Sequence, residues 1–433
     1  GVDNVSFSLL ALRRVSNPGG TPSLSGNLFV TVPATANPIS QVHKGATGNK
    51  NLDALDNRLF AAAIHKNKIT GFSSLWTAHN IEVNTNGAAQ SGGGRNGSRW
   101  YEVGSLTGTP TLIQSGTLFD PAATNPRGFW IPSVAESGQG HMALGCSYAS
   151  VNDFAGVATA GRLRTDPSGS IQSPTLAVVS STAYNVNERS NPHRWGDYSQ
   201  VVVDPNDDMT MWTFQEYCNS ANSWGVRAVQ LKAPPPAPPA SASPVSVMQG
   251  QSAVNLVITG TSTVGSEYFD PGPDTGGPGF PNHLSVTVNG GGVTVNSVTF
   301  SNPTNITINV SVLTNAAPGA RTITVTNPDG QQATSASALL TILALPPVAG
   351  FAGSPTNGAA PLTVSFTNLS SGATSYNWDF GDGHSSSVAN PSNTYSNAGT
   401  YTVTLKAIGP GGTNTLARTN YVVVTNPPPP VTD

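Results

Sequence analysis

The chain has 433 residues, too many for one ordinary domain, and only 9% of them are charged against roughly a quarter in typical soluble domains. Gly, Pro, Ser, Thr and Asn take the place of charge, which excludes salt-bridged helical bundles and predicts an all-β chain of short strands and turns. A net charge of −3 without a basic cluster excludes the electrostatic footprint of a nucleic-acid binder, and no apolar run approaches the ~20 residues of a membrane span.

The chain opens at Gly1 in strand chemistry, without an initiator Met or a signal peptide, and reads as processed or trimmed, while its low charge, Thr/Asn-rich strands and modular linkers suit an extracellular protein. Strands are predicted at Phe7–Val15 and Asn27–Val32. From Asn57 a group of strands follows: RLFAAAIHKN, SSLWTAHNIEV, SRWYEVG and TPTLIQSGTL, with a Gly/Ser/Asn loop (Asn84–Gly97) inserted. A second group runs from Gly128 through FWIPSVAES, GHMALGCSYAS and FAGVATAGRL to PTLAVVSS, with a turn at Asp166–Gly169. The third, Arg194–Leu231, reads as strands Trp195–Val203, Met209–Tyr217 and Trp224–Leu231, with Asp204-Pro-Asn-Asp-Asp208 as a tight turn.

Three such cycles in about 175 residues are a degenerate repeat, and radial repetition of small antiparallel sheets predicts a β-propeller. Such rings close with roughly 4–8 blades, whereas residues 1–232 supply three clear blades and part of another. The expectation is a partial propeller head, completed by an N-terminal fragment or by self-association. The alternative is a compact unit closed by the Phe7–Val15 strand. The phrases DNRLFAAA, SLWTAHNI, RWYEV, IPSVAESGQGHMALGCSYAS, AGRL and RWGDYSQVVVDPNDDMTMWTFQEY resemble secreted bacterial proteins similar to sialidase-like (BNR-type) propellers. That resemblance covers about residues 55–231 and brings no assigned catalytic set.

Residues 233–244 are a Pro/Ala linker, expected to be extended and semi-rigid, with separate beads beyond it. Residues 245–343 alternate as strands, and their ending ARTITVTNPDGQQATSASALLTI resembles the IPT/TIG-like immunoglobulin-fold domains. The insert EYFDPGPDTGGPGFPNH reads as an ordered surface loop; its Asp270 and Asp274 are candidate cation ligands or simple turn residues. Residues 346–425 carry Trp378-Asp379-Phe380-Gly381-Asp382-Gly383 and GTYTV, and resemble a PKD domain, a β-sandwich. Alternation places the Trp378 and Phe380 rings in one layer, while Gly381 and Gly383 permit a turn in which Asp382 bonds backbone amides. Residues 426–433 are a Pro-rich tail.

For chemistry, Arg58, Arg99, Arg162 and Arg194 come from successive strand groups, where they could converge on a carboxylate. Glu216 and Tyr217 are adjacent, so a strand points them to opposite faces and the nucleophile pair of a sialidase is not formed. There is no H-E-x-x-H, nucleophile elbow or phosphate loop. Asp204, Asn206 and Asp208 are the densest oxygen-ligand run, read either as a calcium loop or as a plain turn. Trp76 and Trp195 are candidate sugar-stacking rings, although blades also bury aromatics between them. Cys146 and Cys218 are either an inter-strand disulfide or two small buried hydrophobes.

The resulting expectation is a secreted or cell-surface bacterial protein of non-catalytic adhesion or matrix type, requiring no cofactor and binding extracellular polysaccharide through its head. The alternatives are a glycoside-processing enzyme with catalytic residues partly on a missing N-terminal half, and a subunit of an extracellular polymer.

Overall fold

The computed structural model describes residues 2–6, 8–48, 50–186, 192–273 and 277–427, and every regular element among them is a strand. The first part contains β1 (Val2–Ser6), β2 (Leu9–Leu12), β3 (Val15–Ser16), β4 (Ser23–Leu24), β5 (Leu28–Thr31), β6 (Ala61–Lys66), β7 (Ser73–Val83) and β8 (Arg95–Gly104). It continues with β9 (Thr111–Leu118), β10 (Gly128–Glu136), β11 (Met142–Ser150), β12 (Asp153–Arg162), β13 (Thr175–Val178), β14 (Gln200–Val203), β15 (Met211–Ser220) and β16 (Ser223–Leu231). Four antiparallel sheets result, β1-β2-β5, β6-β7-β8-β9, β10-β11-β12-β13 and β14-β15-β16, with β3-β4 a short ribbon.

The sheets stack face on face in chain order as a curled assembly, and strand alternation explains how. In β7 and β8, Leu75, Tyr101 and Val103 face the first sheet, where they meet Leu10, Leu12 and Val30. Their neighbours Trp76 and Trp100 point the other way, onto Phe129, Leu144 and Cys146 of the third sheet. The two indoles stack with centroids 5.7 Å apart. In β11 the large residues Met142, Leu144 and Tyr148 join that layer, and the small ones face the last sheet. Ala143 packs there with Val201 and Met211, and Ala149 with Trp195 and Cys218. A Cβ on Gly145 would come within 2.0 Å of Thr213 Oγ1, so this glycine sets the closeness of the two sheets.

Several expectations are revised. The strand expected at Phe7–Val15 is realised as β2 and the start of β3, with Phe7 outside the described residues, and β2 pairs with β1 and β5 rather than closing a ring. Trp195–Ser199 is not strand, since its residues wrap the edge of the stack to bury Trp195. The stretch 233–244 is not a free spacer. Pro239–Ser243 pairs with Val254–Gly260 as an edge strand, where proline's missing donor is tolerated, and Ala237 is fully buried.

Nor is the second unit a separate bead. Arg164 Nη2 reaches Glu267 Oε1 at 2.6 Å, Asn282 N donates to Asn206 O at 3.1 Å, and Lys232 Nζ donates to Asp329 O at 2.6 Å. The insert expected to be a surface loop buries Tyr268 and Phe269 completely. The unit is a β-sandwich. Pro239–Ser243, Val254–Gly260, Asn305–Val312 and Val293–Asn302 form one sheet, and two three-stranded sheets lie opposite. Leu256, Ile258, Ile306, Ile308, Ile323 and Ile342 fill it.

The last unit pairs the sheet Phe351–Ser354, Leu362–Asn368, Ser392–Tyr395 with a five-stranded sheet that includes Ser375–Asp379, Gly399–Gly409 and Gly412–Thr425. As alternation requires, Trp378 and Phe380 are both buried and stack 6.3 Å apart at 19°. Asp379 Oδ1 accepts the Gly381 amide and Asp382 Oδ1 the His384 amide. Gly381 and Gly383 take φ of 78° and 94°, where a side chain is strained. Of the tail, 428–433 lie outside the described residues.

Replacing Gly145 by Val is expected to force the β11 and β15 layers apart and to cost about 1–3 kcal/mol, read as a lower denaturant midpoint with an unchanged slope.

Candidate functional site

The first strands of three successive sheets, β6, β10 and β14, border one cavity of about 380 Å³. Ala63, Ala135 and Val201–Val203 form its apolar wall, while His65, Glu136, Gln200, Asp204 and Asp208 supply the polar groups. Phe280 of the second unit completes the lining, steadied by Lys68, whose Nζ lies 5.0 Å from the ring centroid.

Each polar group is held from behind. His65 Nε2 donates to Asp208 Oδ1 at 2.6 Å, with the carboxylate buried and the ring partly open. Glu136 accepts from Asn67 Nδ2 at 3.2 Å, Ser74 Oγ at 3.1 Å and Trp76 Nε1 at 3.0 Å. Burial pushes its carboxyl above the usual range, Glu102 adds repulsion, and those three hydrogen bonds pull the other way. Asp204 Oδ1 accepts from the backbone and side chain of Asn206, and Oδ2 accepts the Trp212 indole at 3.0 Å. Burial raises Asp204, but these bonds outweigh it and hold the carboxyl below its ordinary value. The arrangement presents fixed hydrogen-bonding groups beside an aromatic face.

The proposed calcium run is not gathered. Asp208, at φ 56°, turns its carboxylate away from the turn to His65, while Asp204 stays within the turn with Asn206. Asp207 caps the amides of Met209 and Thr210. Among the described residues no group of three or more His, Cys, Asp or Glu is placed to hold a metal ion. Asp270 Oδ1 accepts the Gly272 amide as a turn residue, and Asp274 lies outside the described residues.

The four arginines do not converge. Arg58 pairs with Asp56 at 2.8 Å and Arg194 with Asp197, whose charge also reaches Arg58, so these two share a neighbourhood. Arg99 is buried against Thr117, and Arg162 lies at the far end of β12. Trp76 and Trp195 are corrections too. Both are 1% exposed, with Trp195 Nε1 donating to Ser147 Oγ, so neither ring is open to a ligand. Cys146 and Cys218 are free and buried in different layers, one beside Trp76 and Trp100, the other beside Tyr184 and Trp195, and no disulfide joins them. Sequence reasoning missed Phe280, which stands in a Gly/Pro-rich insert, and His65, whose partner is 143 residues away.

Residues 345–424 match the PKD domain family and form a PKD domain. No curated protein matches the chain. Among solved structures, the PKD1 domain of Vibrio anguillarum Epp is 43% identical over 18% of this chain and 95% of its own, with a TM-score of 0.16. The adhesin InvE of Yersinia pseudotuberculosis is 15% identical over 41% of this chain and 57% of its own, with a TM-score of 0.23. The Escherichia coli adhesin FdeC is 12% identical over 68% of this chain and 96% of its own, with a TM-score of 0.26.

Two measurements check these placements. Both cysteines are buried, and burial also pushes the Cys146 thiol up to about 12; folded protein is expected to resist alkylation at both and to take up two adducts once unfolded, counted by intact mass. Burial also pushes Glu216 up to about 7 from 4.5, opposed by the Gly196 amide and assisted by Asp197. Because the folded value is the higher one, this contribution to stability is full below about pH 4.5 and is lost as the pH rises through about 7. Glu216→Gln is expected to flatten that slope by on the order of 1 kcal/mol after solvent screening, read from urea midpoints at the two ends of the window.

Proposed function

We propose that this chain belongs to a secreted or cell-surface bacterial protein of adhesion type, in which a ligand-binding head is carried on two β-sandwich units, the second a PKD domain. The sheet stack is read as an arc of a β-propeller, because successive sheets turn their first strands toward one shared cavity. The ligand is read as extracellular polysaccharide. The observation that carries this is the cavity itself, which sets the Phe280 ring beside Gln200, His65 and Asp204. Sugars offer an apolar C–H face to a ring and hydroxyls to such groups. No cofactor is required in this reading.

A panel of neutral and acidic polysaccharides in affinity electrophoresis tests the reading. At least one is expected to retard the protein, and Phe280→Ala to weaken that retardation about tenfold, the equivalent of ~1.4 kcal/mol. No retardation by any polysaccharide, or retardation untouched by Phe280→Ala, sinks it.

Self-association, or pairing with a further fragment, is read at the outward face of β14-β15-β16, which leaves Phe214, Trp224 and Val226 at 42%, 56% and 59% exposure. The same face could join subunits of a polymer. Light scattering is expected to give a mass above 44.4 kDa that returns to it in the Phe214→Ser, Trp224→Ser double variant. A wild-type monomer at all concentrations removes self-association.

A further inference from the structure

A second cavity, of about 450 Å³, lies between the ends of β12 and β16 and the start of β11 and β15. That is within the size range of small-molecule sites. Met142, Ala160, Leu163, Met211, Leu231 and Pro234 make its walls apolar. Its ionisable lining consists of His141, Arg162 and Lys232, and no Asp or Glu lines it.

Its two charged side chains, Arg162 and Lys232, are donors only. His141 is 3% exposed, and its Nδ1 accepts the Arg164 amide at 3.0 Å. The proton of the neutral ring therefore sits on Nε2, which has no hydrogen-bond partner. Burial, with the charges of Arg164 and Arg162, pulls this histidine down to about 4, so it stays neutral near pH 7. Arg162 is 7% exposed. Its Nη2 donates to the Asp166 carbonyl at 2.7 Å and its Nε meets no acceptor. The Asp166 carboxylate is occupied elsewhere, its Oδ2 accepting the Leu163 amide at 2.9 Å and Gln172 Nε2 at 3.1 Å. Lys232 has only the Asp329 carbonyl. The charges of Asp166, Glu102 and Glu136 act on Arg162 without lining the cavity, and its guanidinium, like the exposed Lys232 ammonium, hydrogen-bonds only to a neutral carbonyl, which leaves both able to take an anion with an apolar body.

We propose that this cavity binds an organic monocarboxylate, whose carboxylate is taken by Arg162 and Lys232 with His141 Nε2 as a further donor, and whose apolar part lies against Met142, Met211 and Leu231. The site shares no residue with the cavity at Phe280, so it stands or falls independently of polysaccharide binding.

Hexanoate is the probe, with hexanamide as the uncharged control, titrated into the full chain by calorimetry at neutral pH. Saturable binding is expected on the order of a millimolar dissociation constant, with hexanamide at least about tenfold weaker. Arg162→Gln and Lys232→Gln are each expected to weaken hexanoate about tenfold or more and to leave polysaccharide retardation unchanged. Should the buried Arg162 variant fold poorly, Lys232→Gln alone decides. No saturation by hexanoate, equal binding of hexanamide, or undiminished binding by folded variants overturns the proposal.

Discussion

Burial on both faces of the middle sheets is the constraint on which the head depends. A strand with one wet face tolerates polar residues at every second position, whereas β7, β8, β10 and β11 are buried almost throughout. Each neighbour must then be matched in size. The bulky layer of Trp76, Trp100 and Tyr148 fills one gap, and the small layer of Ala143, Gly145 and Ala149 narrows the next. The closeness of the last sheet lets the first strands of three sheets border a common cavity.

The same burial explains the polar chemistry. Polar side chains inside the stack must find partners or carry a desolvation cost, and most are used structurally. Asn80 Nδ2 donates to the Ala54 carbonyl while Oδ1 accepts the Ile131 amide, and Glu136 is wrapped by three donors. Groups left facing cavities are few, and they differ in sign. At the Phe280 cavity carboxylates and amides predominate, and at the Arg162 cavity cationic donors do. The second unit contributes to this division, since its insert supplies Phe280 while the Arg164–Glu267 pair holds it on the head.

Much of the architecture was legible. The turn Asp204–Asp208, the strands on either side of it and the PKD motif follow from alternation and turn chemistry, which act over a few residues. Trp378 and Phe380 lie where a period of two puts them. The site was far less legible. Which of the six head tryptophans is buried depends on the neighbouring sheet, and only Trp224 is strongly exposed. Two cysteines at similar positions in successive sheets look like a pair, yet they occupy different layers. A Pro-rich stretch suggests a spacer, but Pro239–Ser243 finds an edge to pair with.

Local composition and period therefore determined that this chain is all-β, where most of its strands and turns fall, and that it ends in a PKD sandwich. These properties depend on backbone preference and on residues near in sequence. Tertiary structure alone decided that His65 meets Asp208, that Phe280 reaches across from another unit, and that Arg162, His141 and Lys232 share a cavity. Those contacts are set by how whole sheets pack, and strand alternation specifies a residue's face without specifying what lies opposite.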